Sequence, residues 1–333
     1  MAPHQLGPVL TVAIPTCNGA GHLAETIRSV LSQEGVEFDL IVSDDRSDDE
    51  TLAIVRAAAG DRARVEVNSE RIGLAGNWNR CAVLARTPLV AIFHQDDVML
   101  PGHLSAHAAA FAADHSIGLT ASASVVIDER GEAVSPAVVE QGGAGPVDRR
   151  FMPGQFARSM AVGNPLRCSA VTVRIAALTE VGGFDAQLRY VVDWDCWLRV
   201  SRKWEVAWLA RPTVQIRWHP ASETHRFKTG LADLNETARM LDTLFELDLK
   251  DDPDLTRLRT AARDRLARAF LNRAHDALGA GLPELARDAL SRGFHSSPRL
   301  MKMILADPRL CIKMTALAIA PRLAVRLFAY QSR

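Results

Sequence analysis

The sequence predicts an α/β fold, a mostly parallel central sheet flanked by helices, followed by a helical C-terminal extension. Three observations predict it. Over the first half, short β-rich runs alternate with helix-period segments, which implies crossover connections and a mostly parallel sheet. Polar clusters stand at the ends of three of those runs. Residues 230 to 333 carry apolar faces at helical spacing and no strand signal.

The elements follow in order. Leu10 to Ile14 is a β-rich run stopped by Pro15, and Leu23, Ile27, Val30 and Leu31 then recur on one helical face. Phe38 to Val42 is a second strand, ended by the cluster Ser43-Asp-Asp-Arg-Ser-Asp-Asp49, and Leu52 and Val55 begin a second helix. Val65 to Val67 is a third strand, Ala75 to Ala85 a third helix and Leu89 to Phe93 a fourth strand. In open α/β sheets ligands bind beyond the carboxyl ends of the strands. Pro15-Thr-Cys-Asn18, Asp44-Asp45 and His94-Gln-Asp-Asp97 should therefore share one edge.

Composition narrows the function classes. Lys plus Arg equals Asp plus Glu at 39 each in 333 residues, which argues against a wholesale nucleic-acid binder. The five cysteines have no C-x-x-C spacing, so they read as scattered thiols of a reducing compartment rather than a zinc site or disulfide framework. No basic-then-apolar leader follows Met1, and no window of about 18 uncharged apolar residues is present. The expected setting is the cytoplasm, at the inner face of the membrane if the tail binds lipid.

The motifs Ile14-Pro-Thr-Cys-Asn18, Val42-Ser-Asp-Asp-Arg-Ser47, His94-Gln-Asp-Asp97, Gly182-Gly-Phe-Asp185 and Asp193-Trp-Asp-Cys-Trp-Leu-Arg199 together resemble the family 2 glycosyltransferases, inverting enzymes with the GT-A fold. The likeness covers roughly residues 8 to 225. It implies transfer of a single sugar from a nucleotide-diphosphate donor to a hydroxyl of a glycan or lipid-linked acceptor, in cell-surface polysaccharide biosynthesis. It also implies a catalytic domain over 1–228, with a nucleotide-binding part at 8–128 and an acceptor part at 129–228, and a helical region over 229–333.

Within that resemblance, the residues fall into roles that chemistry supports. A leaving nucleoside diphosphate gains charge as the glycosidic bond breaks, and a hard cation, Mg²⁺ or Mn²⁺, neutralises it. Asp96 is the expected ligand, with Asp97 supporting the loop; His94 stands where an aspartate of the D-x-D pattern is expected. His219, in Gln215-Ile-Arg-Trp-His219, follows a strand and is a candidate to complete the metal or diphosphate site. Pro15, Thr16, Asn18, Asn79, His94 and Gln95 are expected at the nucleotide. Asp44 or Asp45 can accept a hydrogen bond from the imide N–H of uracil or thymine, which adenine lacks, so UDP or dTDP is the expected donor. Cys17 replaces a frequent aromatic residue, and Trp78 is a substitute stacking platform. Asp193 matches the family's catalytic base, preceded by Val192 where Glu is frequent, with Trp194 and Asp195 in support. His103, His107 and His115 stand at irregular, surface-like spacing and receive no role.

Two other readings were open on the residues alone. A sugar nucleotidyltransferase would show a Gly-rich basic loop after the first strand, which Pro15-Thr-Cys-Asn-Gly19 lacks. A binding or scaffolding protein that has lost catalysis is kept open by His94 and Val192. In the extension, 231–247, 255–278 and 285–290 read as helices, and 274–290 resembles one tetratricopeptide-like unit. Residues 299 to 333 interleave apolar residues with Arg299, Lys302, Arg309, Lys313, Arg322, Arg326 and Arg333 against Asp307 alone. That pattern fits either an anionic membrane surface or a helix packed on the catalytic domain with its cations solvated.

Overall fold

The computed structural model describes residues 8–135, 143–219, 222 and 227–328. It forms two compact units, one of residues 1–160 with 164–219, the other of 161–163 with 220–333.

In the first unit the elements run β1 (Leu10–Thr16), α1 (Leu23–Leu31), β2 (Phe38–Asp44), α2 (Thr51–Ala59), β3 (Ala63–Val67), α3 (Gly73–Leu84), β4 (Leu89–Ile92), β5 (Val98–Met99), α4 (His103–Ala113), β6 (Ile117–Ile127), β7 (Arg149–Phe151), α5 (Ala157–Met160), β8 (Val171–Arg174), α6 (Ile175–Glu180), α7 (Val192–Lys203) and β9 (Glu205–Arg217). The sheet order is β3-β2-β1-β4-β8-β6-β9-β5, with β7 on β9. The four strands read from the sequence pair in parallel. Beyond β4 the sheet becomes mixed: β8 is antiparallel to β4 and β6, while β6 and β9 are parallel.

Burial explains the first layer. Leu10, Val12 and Ile14 of β1 and Leu23, Ile27 and Val30 of α1 are all inaccessible to solvent, so the helix's apolar stripe closes one face of the sheet. β1 continues through Pro15, which pairs with Ser43 of β2. Its β4 pairing has ended at Ala13 and Ile92, so the missing N–H interrupts no ladder bond on that side.

One connection positions the site. β5 pairs antiparallel with β9, Val98 against Gln215 and Met99 against Val214. That two-residue strand draws the segment after β4 alongside the end of β9, so residues 94 to 97 meet residues 217 to 219 despite a separation of more than a hundred positions.

The second unit is helical: α8 (Ala232–Thr243), α9 (Leu255–Gly279), α10 (Pro283–Ser296), α11 (Leu300–Leu305), α12 (Pro308–Ile319) and α13 (Pro321–Phe328). α9 and α10 pack through Phe270, Ala274, Ala286 and Ala289, which are buried. Arg273 of α9 is buried, donates to the Phe227 and Gly230 carbonyls, and pairs with buried Asp233 at 2.6 Å. α12 starts at Pro308, where a missing N–H costs nothing, and Asp307 caps it by accepting from the Arg309 and Leu310 N–H groups. No helix of the described residues is long and apolar enough to cross a membrane. Arg333 lies outside the described residues.

Candidate active site

The carboxyl ends of β1, β2 and β4, the end of β9 and the start of α7 supply the candidate site. Asp96 and Asp97 are neighbours with different surroundings. Asp97 is buried and accepts from the Ser169 hydroxyl at 2.5 Å and the Arg217 backbone N–H at 2.9 Å. Burial, then the adjacent Asp96 charge, pushes its carboxyl above the ordinary range. Asp96 is half-buried, and its Oδ2 lies 2.9 Å from His219 Nε2. Burial opposes its charge, but the His219 hydrogen bond and the nearby His94 ring outweigh burial, so its carboxyl sits below the ordinary range.

Arg217 braces this loop. Its guanidinium is buried and donates to the carbonyls of Asp96 at 3.0 Å, Asp128 at 3.0 Å and Glu129 at 3.2 Å, and it pairs with Glu25 at 2.7 Å. The Thr26 hydroxyl adds bonds to the Gln95 and Asp97 carbonyls at 3.0 and 2.8 Å. Ser169 serves both neighbours, accepting from the His94 N–H at 3.0 Å while donating to Asp97.

His94 stacks on Trp78, centroids 5.2 Å apart at 28°. Its Nε2 is buried and has no hydrogen-bond partner. Burial lowers its basicity, against the pull of the Asp96 and Asp193 charges, so the ring is held neutral. His94, Asp96 and Asp97 each bring one ligand atom within 4.8 Å of the others. Asp97 is a poor donor to a cation, because both oxygens are held and its proton is favoured. What remains is an ionised Asp96 with imidazoles at His94 and His219. This mixed O and N set fits a divalent cation, and it suits Mn²⁺ better than Mg²⁺, which prefers all-oxygen surroundings.

Asp193 lies in the first turn of α7. It is half-buried, and burial raises its carboxyl above the ordinary range against the bonds and charges that favour the ionised form. Its oxygens accept from the Trp194 N–H at 2.7 Å and from Asn164 Nδ2 at 3.0 Å. Asn164 is itself fixed, its Oδ1 accepting from the Leu166 N–H at 3.0 Å. Asp195 takes no part in that pairing. It binds Arg199 at 2.9 and 2.7 Å, and Arg199 donates to the Val181 and Gly183 carbonyls. Trp194 is buried.

The nucleotide edge differs in detail from expectation. Asp44 is 0% exposed; its oxygens accept from the Thr16 hydroxyl at 2.8 Å and from the Ser47 hydroxyl and N–H at 2.6 and 2.8 Å. Neither Asp44 nor buried Thr16 therefore reaches a base, and both instead tie β1 to the turn after β2. Asp45, 4% exposed, accepts from Asn68 and the Ile72 N–H at Oδ1 and from the Gly73 N–H at Oδ2. One lone pair of Oδ2 remains, so Asp45 is the surviving base-reading candidate. Asn79 closes both ends of its amide on the Phe184 backbone at 2.7 and 2.8 Å, which makes it a lock on the Gly182-Gly183 turn rather than a nucleotide contact. Gly183, at φ +72°, permits that approach, because a Cβ there would lie 2.5 Å from Asn79 Oδ1.

Gln95 clamps Cys17 at both its N–H and its carbonyl, 2.9 and 3.3 Å. Asn18 is exposed at φ +51° and accepts from the Asp48 N–H at 3.0 Å. Pro15 is half-buried beside it. Trp78 is buried under His94 and against Phe184, so it is core, not a stacking platform. Sequence reasoning missed Arg217, Ser169, Thr26 and Asn164. Only Arg217 had a visible signal, a cation two residues before His219 at a strand end.

The model for glycosyl transferase family 2 matches residues 11–160. Over 255 residues the chain is 30% identical to an uncharacterised protein of Mycobacterium tuberculosis, covering 70% of this chain and 75% of that one. The chain belongs to glycosyl transferase family 2. Solved structures share the fold. Staphylococcus aureus TarS 1–349 in complex with UDP-GlcNAc superposes at a TM-score of 0.59 with 15% identity, over 97% of this chain and 90% of that one. The mannosyltransferase PcManGT of Pyrobaculum calidifontis, in complex with GDP-Man and Mn²⁺, superposes at 0.54 with 17% identity, over 98% and 88%. The protein is thus a GT-A-fold glycosyltransferase, and the two other readings of its motifs give way to that one.

Proposed function

We propose that this glycosyltransferase moves one sugar from a nucleotide-diphosphate donor to an acceptor hydroxyl by a single inverting displacement. The acceptor is a glycan or lipid-linked glycan of cell-surface polysaccharide assembly, as the family resemblance implies, and the reaction runs in the cytoplasm. UDP or dTDP is the proposed donor nucleotide, with Asp45 Oδ2 accepting the imide N–H. Pro15 and Asn18 line the nucleotide edge, and Gln95 keeps its floor in register.

The observation that carries the reading is the convergence of Asp193 with the loop of Asp96. The charges of Asp96 and Asp193 both act on the ring of His94, the neighbour of Asp96 in that loop. Asp193 takes the proton of the acceptor hydroxyl as its oxygen forms a bond to the anomeric carbon. The bond from that carbon to the diphosphate oxygen breaks on the opposite side, and the electron pair leaves with the nucleoside diphosphate. Asn164 holds the receiving carboxylate in place. Asp96 and His219 would hold a divalent cation, with the His94 imidazole beside them. Such a cation, when bound, neutralises the charge on the departing diphosphate.

The deciding experiment is transfer to a soluble acceptor, with the product's anomeric configuration read by NMR. Inversion is expected. Retention of configuration would overturn the single displacement. Asp193→Asn keeps the shape of the side chain and loses the proton acceptor, so turnover should fall by about 10² to 10⁴ with donor affinity intact.

A further inference from the structure

Helices α11 to α13 pack inward through Leu300, Ile304, Met314, Leu317 and Ala324, all buried. The segment is thus part of a folded unit. Met301, Leu305, Ile312, Ile319, Leu323 and Leu327 on the same helices are exposed, from 50% at Met301 to 79% at Ile319. Clustered exposed apolar residues of this size mark an interaction surface.

Charge identifies the partner. Between 299 and 328 stand Arg299, Lys302, Arg309, Lys313, Arg322 and Arg326, with Asp307 as the single acid. The Asp307 carboxylate is turned to the backbone N–H groups it caps. Arg299 is paired with Asp264 at 3.1 Å, and the remaining cations edge an apolar surface that matches an anionic headgroup layer, where acyl chains take the apolar side chains and phosphates take the cations. A second copy of the chain would bring the same cations against their like, so self-association is disfavoured.

A seat for one phosphate is present. A hollow of about 460 Å³ between α9 and α12 is lined by His275, Asp276, Asp307, Arg309, Leu310 and Lys313, among others. The Lys313 ammonium lies 3.3 Å from His275 Nε2 and 5.7 Å from the centroid of the Phe328 ring. An ammonium has three N–H donors, so one contact to an imidazole nitrogen leaves two for an anion. No carboxylate pairs with Lys313 among the described residues.

We propose that the C-terminal unit docks on an anionic bilayer. Ile319, Leu323 and Leu327 enter the headgroup layer, Arg322 and Arg326 lie along it, and Arg309 and Lys313 hold a lipid phosphate. The contact is interfacial, since no described helix can cross. It goes beyond the proposed reaction and does not depend on it.

The test is flotation of the full chain with phosphatidylcholine vesicles, with and without phosphatidylglycerol. Binding is expected only with the anionic lipid, and weakening at high salt. Arg322→Gln with Arg326→Gln should lower the partition coefficient roughly thirtyfold, at the typical contribution of a basic residue near such a surface. Leu323→Gln with Leu327→Gln should also release the protein, while both variants keep full turnover on a soluble acceptor. The arginine pair is exposed, so that variant stays informative even where the leucine variant fails to fold. Three results would overturn the proposal: equal binding to both vesicle types, arginine variants that float like the parent, or no vesicle binding together with a lipid-free dimer that the leucine variant dissolves.

Discussion

Acid should destabilise the first unit through two histidines that the reaction does not use. His103 and His107 lie one turn apart on α4, both 0% exposed, with ring centroids 4.2 Å apart. Their Nδ1 atoms lie 2.7 Å from the hydroxyls of Thr213 and Thr120, and neither Nε2 has a partner. Burial, then the neighbouring ring, holds His103 well below the ordinary range, and burial holds His107 at about 3. In the unfolded chain each takes up a proton near pH ~6.5. The folded values are depressed, so below that pH the unfolded state binds the extra protons, and stability falls as pH falls. At about pH 5 each histidine kept neutral costs about 2 kcal/mol, RT ln(1 + 10^1.5), and the pair about 4 kcal/mol. That is a large part of a typical total of about 5–15 kcal/mol. Asp97 works in the other direction, because its raised carboxyl keeps its proton in the folded state. The histidine contribution is therefore isolated by comparing the parent with His103→Gln/His107→Gln at about pH 7.5 and about pH 5, which bracket the unfolded value. Urea unfolding followed by tryptophan fluorescence reports this unit, since all six tryptophans lie between Trp78 and Trp218. The double variant should lose less stability on acidification, by about the 4 kcal/mol worked above. An equal loss in both proteins would refute the reasoning.

Three further outcomes follow from the site. Burial raises the Asp193 carboxyl, so kcat/KM should rise with pH through a limb above the ordinary carboxylate range, and Asn164→Ala, which removes a bond favouring the ionised form, should move that limb higher in a pH–rate profile. Asp96→Ala should abolish metal-dependent nucleotide binding in a titration calorimeter, and Mn²⁺ should restore EDTA-treated enzyme better than Mg²⁺; full turnover in EDTA would count against the cation. UDP or dTDP should raise the melting temperature more than ADP, and Asp45→Ala should erase the difference.

The first four strands were legible because each combines a β-branched run with a polar stop, and the helices between them show the period of 3.6. Of the later strands, the one before His219 was legible and the others were not. β6 reads Ile117-Gly-Leu-Thr-Ala-Ser-Ala-Ser124, and such small residues have little preference for strands; pairing with β8 and β9 on either side decides their conformation. At the site, residue types and strand ends were legible, and the partners were not. Ser169 meets Asp97 across 72 positions and Arg217 meets Asp96 across 121. Such contacts follow from sheet order, which one sequence does not display. The structure corrects the surface-like reading of two histidines: His103 and His107 are buried, and with buried Phe111 they recur every fourth residue on one face of α4.

Asp96 and Asp97 show most clearly what a sequence cannot separate. Both are aspartates at the same strand end, and a local argument treats two such charges alike. The fold does not. The chain turns Asp97 inward, where Ser169 and the Arg217 N–H occupy its oxygens and the low dielectric favours its proton. It turns Asp96 toward His219, where the imidazole favours the charge. Two ionised carboxylates side by side would repel strongly in a half-buried site, and a proton on Asp97 removes that repulsion. Asp97 can then act as a neutral pillar of the loop, while Asp96 stays ionised. Arg217 links the two, binding the Asp96 carbonyl with its guanidinium and Asp97 with its backbone N–H. The β5–β9 pairing that brings Arg217 there thus decides which of two adjacent aspartates keeps its charge.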